Sequence, residues 1–246
     1  MPTHRISIII PAFNEANYLP RLLDSIEAAR GAYARGAAAV EVIVADNAST
    51  DATARIARDG GARVVRVDKR AIAAARNGGA RVATGGILAF VDADTLRIHA
   101  RTFDVIEDLM SSSRFVAGAT GIGMERWSAG IAATYALMIP MVWLTRMDTG
   151  VVFCRREDFV AVGGYDEARL VAEDLAFLLA LRRLGRRRGQ RLVRARRVKA
   201  VGSTRKFDEH GDWHYLTMMP RVAFKLLIGK AGAREAVLRY WYEPRR

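Results

Sequence analysis

The sequence predicts an α/β protein with a mainly parallel central sheet and helices on both faces. Three observations predict it. Short β-branched runs alternate with longer helical patterns through about the first 95 residues. The runs are apolar nearly throughout, as strands covered on two faces require, and most end in polar or Gly-containing residues where a helix begins. A chain of 246 residues, 51% hydrophobic and 26% charged, can bury a sizeable core without disulfide or metal staples.

Taken in order, Arg5 to Pro11 (RISIIIP) reads as a buried strand. Tyr18 to Ala29 is the helix behind it, because Leu19, Leu22, Leu23 and Ile26 recur at helical spacing. Val40 to Ala45 is a second strand, with a helix entered near Ser49 to Asp51. Arg63 to Val67 and Ile87 to Val91 are two further strands, separated by a helix over Ile72 to Thr84. Beyond Arg97 the alternation weakens. Ile98 to Met110 reads as helix, Phe115 to Ile122 as extended chain and Val151 to Cys154 as a strand. Ala172 to Leu184 reads as an amphipathic helix with Leu175, Leu178, Leu179 and Leu181 inward, and Val193 to Val201 as another strand. Leu216 to Ile228 and Ala233 to Tyr242 are expected to close the chain as helices. No Pro/Ser-rich linker and no internal repeat divides the sequence, so a single domain is expected over 1–246.

The apolar stretch Ala129 to Thr145 has 17 residues, near the lower limit of a membrane span, and Pro140 interrupts it. A buried helix is the expectation, with an interfacial membrane segment as the alternative. The net charge of +13 points to an anionic partner: nucleotide phosphate, nucleic acid or an acidic membrane face. Of 39 basic residues 34 are Arg, so compositional bias explains part of the excess equally well. Ten of them fall between Arg182 and Lys199, where a solvated face and strand edge account for them. Cys154 is the single cysteine and no Cys/His zinc pattern occurs, which fits a reducing compartment. The N-terminus has too short an apolar run for a signal peptide, so a cytoplasmic protein is expected, with weak association at the inner face of an anionic membrane.

The turn after the first strand is Pro11, Ala12, Phe13, Asn14, Glu15. It has no glycine, and no GxxxxGK[ST] motif occurs anywhere, which argues against dinucleotide-binding dehydrogenases and P-loop nucleotidases. Ligands of open parallel sheets sit outside the carboxyl ends of the strands. Pro11 to Glu15, Asp46 to Asp51 and Asp92 to Asp94 are such ends and form one candidate site.

PAFNE after the first strand, DNASTD after the second, ARNGGARVATG in the third helix, DAD after the fourth strand and ED opening a later helix together resemble glycosyltransferase family 2. The resemblance spans roughly Ile6 to Leu184. It implies a GT-A fold, an inverting mechanism, a nucleotide-diphosphate sugar donor and a divalent metal, Mg2+ or Mn2+. It further implies a donor-binding half over 1–97 and an acceptor half over 98–246, the acceptor being a saccharide, lipid-linked or small-molecule hydroxyl.

Asp92 and Asp94 stand two residues apart at a strand end, so both carboxylates can point the same way and suit a hard cation that also takes diphosphate oxygens. Turn formation or capping before Thr95 is the alternative use. By resemblance Asp94 is the direct metal ligand, while Asp92 meets the ribose or the metal through water. Asp46 is the base reader by resemblance, with a turn-forming role as its alternative. Pro11, Ala12, Phe13 and Glu15 are expected to line the base and ribose pocket, and Asn14 and Glu15 also suit the cap of the first helix. Asn47, Ser49 and Asp51 are expected to shape their loop. Arg76 is expected to reach the diphosphate, with a solvated arginine as its alternative.

In the second half, Asp148, Thr149 and Gly150 resemble the acceptor-side strand of the family, and Gly163, Gly164 and Tyr165 its GG[YF]D turn. The ED pair makes Asp174 the candidate general base and Glu173 its supporting or acceptor-binding neighbour. Acids in a first helical turn also complement the helix dipole. Ser203 to Phe207, with Arg205 and Lys206, is expected as a mobile basic loop over the diphosphate, and His210 or His214 as a further phosphate or metal contact. A polyprenyl-phosphate acceptor is the alternative within the family. A basic nucleic-acid-binding module or a non-catalytic sugar-nucleotide binder is the alternative of another class. Acidic strand ends at Asp46, Asp92 and Asp94 argue against nucleic acid, as does the lack of an RNP-type or zinc-finger signature.

Overall fold

The computed structural model describes residues 4–169 and 172–218. The first half alternates as β1 (Ile6–Ala12), α1 (Leu19–Ala32), β2 (Val40–Asp46), α2 (Thr53–Asp59), β3 (Arg63–Arg66), α3 (Ile72–Val82) and β4 (Ile87–Phe90). It continues with β5 (Thr95–Arg97), α4 (Thr102–Ser111), β6 (Phe115–Met124), α5 (Ala129–Thr145), β7 (Val152–Arg155), α6 (Arg156–Ala161), α7 (Glu173–Arg187), β8 (Arg191–Gly202) and α8 (Arg205–His210). The strands form one eight-stranded sheet in the order β3-β2-β1-β4-β7-β6-β8-β5. It is mixed and mostly parallel: β3, β2, β1 and β4 run together, as do β6 and β8. β7 runs against both its neighbours, and β5 against β8.

Period-two alternation splits the strand residues between two cores. Ile6, Ile8 and Ile10 pack with Leu19, Leu22 and Ile26 of α1 and with Phe103 and Ile106 of α4. Ile9, Ile43, Leu88 and Phe90 face the other way, toward Ala73 and Ala80 of α3 and Phe177, Leu178 and Leu181 of α7. Helices therefore cover both faces. The glycines of ARNGG bring α3 close to the sheet, since a Cβ on Gly79 would stand 2.4 Å from Ile9 Cγ2. Gly79→Val should accordingly destabilise the fold by about 2–3 kcal/mol through overpacking. Urea unfolding checks this, and an unchanged midpoint would contradict such close packing.

The described residues fall into two compact units, one over 1–125 and 145–203 that carries the sheet, the other drawn from 126–144 and the chain beyond 204. Several expectations need correction. The helix expected from Ile98 starts at Thr102, because Thr95–Arg97 pairs with the end of β8 and a turn at His99 intervenes. Leu175 is exposed, and Phe177 takes the inward position beside Leu178 and Leu181. The basic run is more than a solvated face: Arg188 donates to the fully buried Asp158 carboxylate at 2.6 Å, and Arg194 pairs with Asp148. Within α5 only the first turns hold buried residues. Ala136 to Pro140 are all exposed, and Leu144 reaches 84% exposure, so the expected buried helix is not what forms. Among the described residues no helix is long and apolar enough to cross a membrane. Leu216 to Met218, the start of the first expected closing helix, are helical; the rest of that helix and the whole of the second lie outside the described residues.

Candidate active site

Because β1, β2 and β4 are parallel, their carboxyl ends meet along one edge, with Ala12 directly beside Asp46. The loops that follow are stitched together across that edge. Asn14 Oδ1 accepts the Thr50 amide at 2.8 Å, while the Asn14 amide donates to Ser49 Oγ at 3.0 Å. The Glu15 amide donates to Thr53 Oγ1 at 2.8 Å and the Ala16 amide to Asp51 Oδ2 at 3.1 Å. Asn47 Nδ2 ties the same loop to the Val67 and Lys69 carbonyls at 2.9 and 2.7 Å. Asn47, Ser49 and Asp51 thus shape the loop. Capping of the first helix differs from expectation. The Tyr18 and Leu19 amides go to the Glu15 carbonyl rather than to a side chain, because Asn14 is drawn across to the neighbouring loop.

Three non-glycine residues in these loops adopt left-handed backbone: Asn14 (φ 55°), Ala48 (φ 59°) and Ala172 (φ 55°). Alanine in this region costs about 1–2 kcal/mol, a strain that concentrates where a fold holds a functional geometry. Ala172 stands immediately before Glu173 and Asp174, which open α7.

The centre of the site is Arg76 on α3, whose side chain is 3% exposed. Its Nη2 donates to Asp92 Oδ1 at 2.7 Å and to Asp174 Oδ2 at 3.0 Å, and its Nη1 to Glu173 Oε1 at 2.9 Å. Burial by itself would lower the pKa of this guanidinium, but Asp174, Asp92 and Glu173 outweigh it and hold the group protonated. Burial pushes the Asp174 carboxyl up to about 6; Arg76 opposes the shift while Asp92 and Glu173 add to it. The Tyr165 hydroxyl lies near enough to pull that pKa slightly back down. Yet neither the Tyr165 hydroxyl nor Asp174 Oδ1 completes a hydrogen bond of normal geometry, although both atoms are buried. An unsatisfied buried carboxylate oxygen is costly and calls for a chemical explanation.

The GGY turn docks on α3. Asn77, next to Arg76, accepts the Tyr165 amide through Oδ1 and donates to the Tyr165 carbonyl through Nδ2, both at 2.9 Å. Gly164 (φ 73°) permits the approach, since a Cβ there would lie 2.7 Å from Asn77 Oδ1. The Tyr165 ring then stacks on Phe177 at 4.1 Å and lies 5.0 Å from the Arg76 guanidinium. Asn77 was not singled out from the sequence, although it stands in the ARNGG motif.

Pro11 and Ala12 are buried at the end of β1, and the half-buried Phe13 ring carries the Arg70 guanidinium 4.4 Å from its centre, a partner the sequence did not suggest. Asp46 is buried and accepts the Ser49 amide through Oδ1 at 3.1 Å. Asp94 is half-buried, and its carbonyl accepts the Ser203 amide at 3.2 Å. Gly150 sits where a Cβ would meet Thr120 Oγ1 at 2.4 Å, so backbone packing alone requires glycine there. Arg205 and Lys206 belong to the second unit, where they form the first turn of α8 and not the expected mobile loop; the Phe207 and Asp208 amides close that turn on the Thr204 carbonyl. In the same unit His210 Nδ1 lies 3.2 Å from the Lys206 carbonyl and His214 Nδ1 2.7 Å from that of Gly211, and burial lowers the pKa of His214.

A divalent cation is a chemically sensible addition. One guanidinium faces three carboxylates, which leaves excess negative charge, and the Asp92 side chain remains 44% exposed beyond its bond to Arg76. Among the described residues no group of three acidic, His or Cys side chains could hold a metal alone. Asp92 and Asp94 are the pair that could hold a hard cation, which would draw its remaining ligands from substrate phosphates and water.

A mixed, mostly parallel sheet with acidic strand ends along one edge, and an acidic pair opening a helix, is the architecture of the GT-A type. Residues 7–108 match the family described as Glycosyl transferase family 2, and this part of the chain belongs to that family. It is 31% identical over 188 residues to a 4,4'-diaponeurosporenoate glycosyltransferase of Staphylococcus aureus, a match covering 66% of this chain and 47% of that protein. The chain thus spans about half the length of the curated relatives it matches. Two solved structures share the fold. One is a mannosyltransferase from Pyrobaculum calidifontis in complex with GDP-Man and Mn2+ (TM-score 0.63, 23% identity, 81% of this chain and 57% of that one). The other is glucosyl-3-phosphoglycerate synthase from Mycobacterium tuberculosis with Mn2+, UDP and glucosyl-3-phosphoglycerate (TM-score 0.60, 21% identity, 93% and 80%).

Proposed function

We propose that the chain is an inverting glycosyltransferase that moves a sugar from a nucleotide diphosphate to an acceptor hydroxyl, with Asp174 as general base. The observation that carries this reading is the Asp174 carboxylate in the first turn of α7, held through Oδ2 by Arg76 beside Asp92, with burial raising its pKa to about 6. The Asp174 carboxylate takes the proton of the incoming hydroxyl as the oxygen attacks the anomeric carbon, and the nucleoside diphosphate departs with the bonding electrons. Glu173 supports the base. Asp94 and Asp92 would hold a divalent cation, Mg2+ or Mn2+, which when bound would neutralise charge on the leaving diphosphate. Pro11, Ala12, Phe13, Glu15 and Asp46 bind the base and ribose, so residues 1–97 serve mainly the donor and 98–246 the acceptor. Gly150 belongs to the acceptor side of the sheet-bearing unit, and Arg205 and Lys206 are separate supporting candidates within the second unit.

UDP-sugars are placed ahead of GDP-sugars. A thermal-shift panel of nucleoside diphosphates, with and without Mn2+, tests the reading: a ligand that binds only the folded state raises the melting temperature by mass action. No Mn2+-dependent shift with any nucleotide would defeat it. Asp46→Ala should weaken UDP at least tenfold while changing inorganic diphosphate affinity less than twofold, roughly the worth of one charge-assisted hydrogen bond. Equal losses measured by calorimetry would remove Asp46 as a base reader.

The exposed half of α5 favours a second acceptor class. Leu137, Ile139, Trp143 and Leu144 project from a helix with no charged residue. Together with the +13 net charge this suits a peripheral association with anionic membranes, and with it a polyprenyl-phosphate acceptor, whose phosphate needs no base. Flotation with anionic vesicles should occur at low salt and fall as salt rises. Binding to neutral vesicles that survives high salt would indicate insertion instead.

A further inference from the structure

We propose that Arg76 is a positioning residue that ties the candidate base to the donor end of the site, by holding the Asp92 and Asp174 carboxylates on a single guanidinium nitrogen. The inference rests on the reading of Asp174 as base. Both oxygens are bonded to Nη2, at 2.7 and 3.0 Å, so they lie no farther apart than those two bonds laid end to end. Asp92 stands just past β4, and Asp174 enters from α7, 98 residues away from Arg76 in sequence. The guanidinium is planar and its N–H directions are fixed, so it sets orientation as well as distance. Nη1 completes the arrangement on Glu173 at 2.9 Å.

Two features set this apart from an ion pair that merely stabilises the fold. Arg76 Nε is buried without a partner, which a cluster tuned for stability alone would avoid. Arg76 also engages Asp174 through Oδ2 alone, so the guanidinium fixes one carboxylate oxygen and leaves the other outside its grip. The adjacent Asn77 anchors the turn that places Tyr165 within 5.0 Å of the guanidinium, so one turn of α3 fixes base, donor carboxylate and supporting ring together.

The test is Arg76→Lys, which keeps the charge but replaces the fork with a single ammonium. Arg76→Gln combined with Glu173→Gln, which removes one unpaired acid, guards against a variant that fails to fold. Crystal structures of wild type and variants are compared, and hydrolysis of UDP-glucose and of GDP-mannose with Mn2+ is measured. In Arg76→Lys the Asp92 and Asp174 carboxylates are expected to move apart by about 1 Å, a misplacement that costs on the order of 100-fold in rate. The loss should appear in kcat, with donor KM within threefold of wild type. Carboxylates that keep their places in both variants would overturn the proposal. So would a rise in KM at unchanged kcat, which would mean that Arg76 touches the donor itself. If wild type binds neither donor with Mn2+, the functional reading fails, whereas the crystal comparison still decides whether Arg76 sets the carboxylate geometry.

Discussion

Asp174→Asn is expected to lower the rate of glycosyl transfer by about 10²- to 10⁴-fold while leaving UDP affinity in Mn2+ within a few-fold of wild type. An amide at this position can still accept a hydrogen bond from Arg76, so the surrounding carboxylates keep their anchor, but it cannot take up a proton. The donor residues lie on the strand ends and their loops, so the loss belongs to the chemical step. Glu173→Gln should cost less, because Glu173 Oε1 is already committed to Arg76 at 2.9 Å. Near-normal turnover of Asp174→Asn with a hydroxyl acceptor would remove the base assignment and favour a phosphate acceptor.

The pH dependence follows from the same group. With its pKa raised to about 6 by burial, Asp174 is mostly ionised at neutral pH and becomes protonated below that value. The profile of kcat/KM, which reports the free enzyme, should therefore fall about tenfold per pH unit on the acid side of 6. Stability moves the other way. Between the ordinary carboxylate pKa and about 6 the folded chain holds a proton that the unfolded chain has lost, so this group's contribution to stability falls as pH rises through that window. A kcat/KM profile flat down to pH 5 would contradict the assignment.

Asp94→Asn is expected to reduce Mn2+-dependent UDP affinity by at least about 100-fold, more than the loss typical when only an outer partner of a metal ligand is removed. Asp92 already shares one oxygen with Arg76 at 2.7 Å, so a cation between the two aspartates depends heavily on Asp94 for its protein charge. Asp94 is only half-buried, and the change is nearly isosteric, so the fold should persist. Calorimetry of UDP with and without Mn2+ reads the effect. Undiminished metal-dependent affinity in the folded variant would assign the metal elsewhere.

The sequence by itself determined the order of strands and helices in the first half, because continuous apolar runs and 3.6-residue periodicity report how much of each face is covered. It also brought out the acidic groups on which the proposed chemistry rests: Asp46, Asp92, Asp94 and the Glu173–Asp174 pair stand at element ends where backbone direction leaves few choices. What periodicity cannot carry is the identity of a distant partner. Arg76 reads equally well as a solvated arginine or a diphosphate contact, and only the packing of α3 between β1 and α7 brings it to acids 16, 97 and 98 residues away. The antiparallel insertion of β7 between β4 and β6 is likewise a long-range pairing with no local signature. The α5 segment shows the same limit from the other side. Seventeen apolar residues imply that something must cover them, and only the tertiary structure decides that Leu137 and Leu144 remain exposed in the folded chain. Hydrophobicity fixes the free energy available from burial, while the surface that supplies the burial is set by how the elements pack.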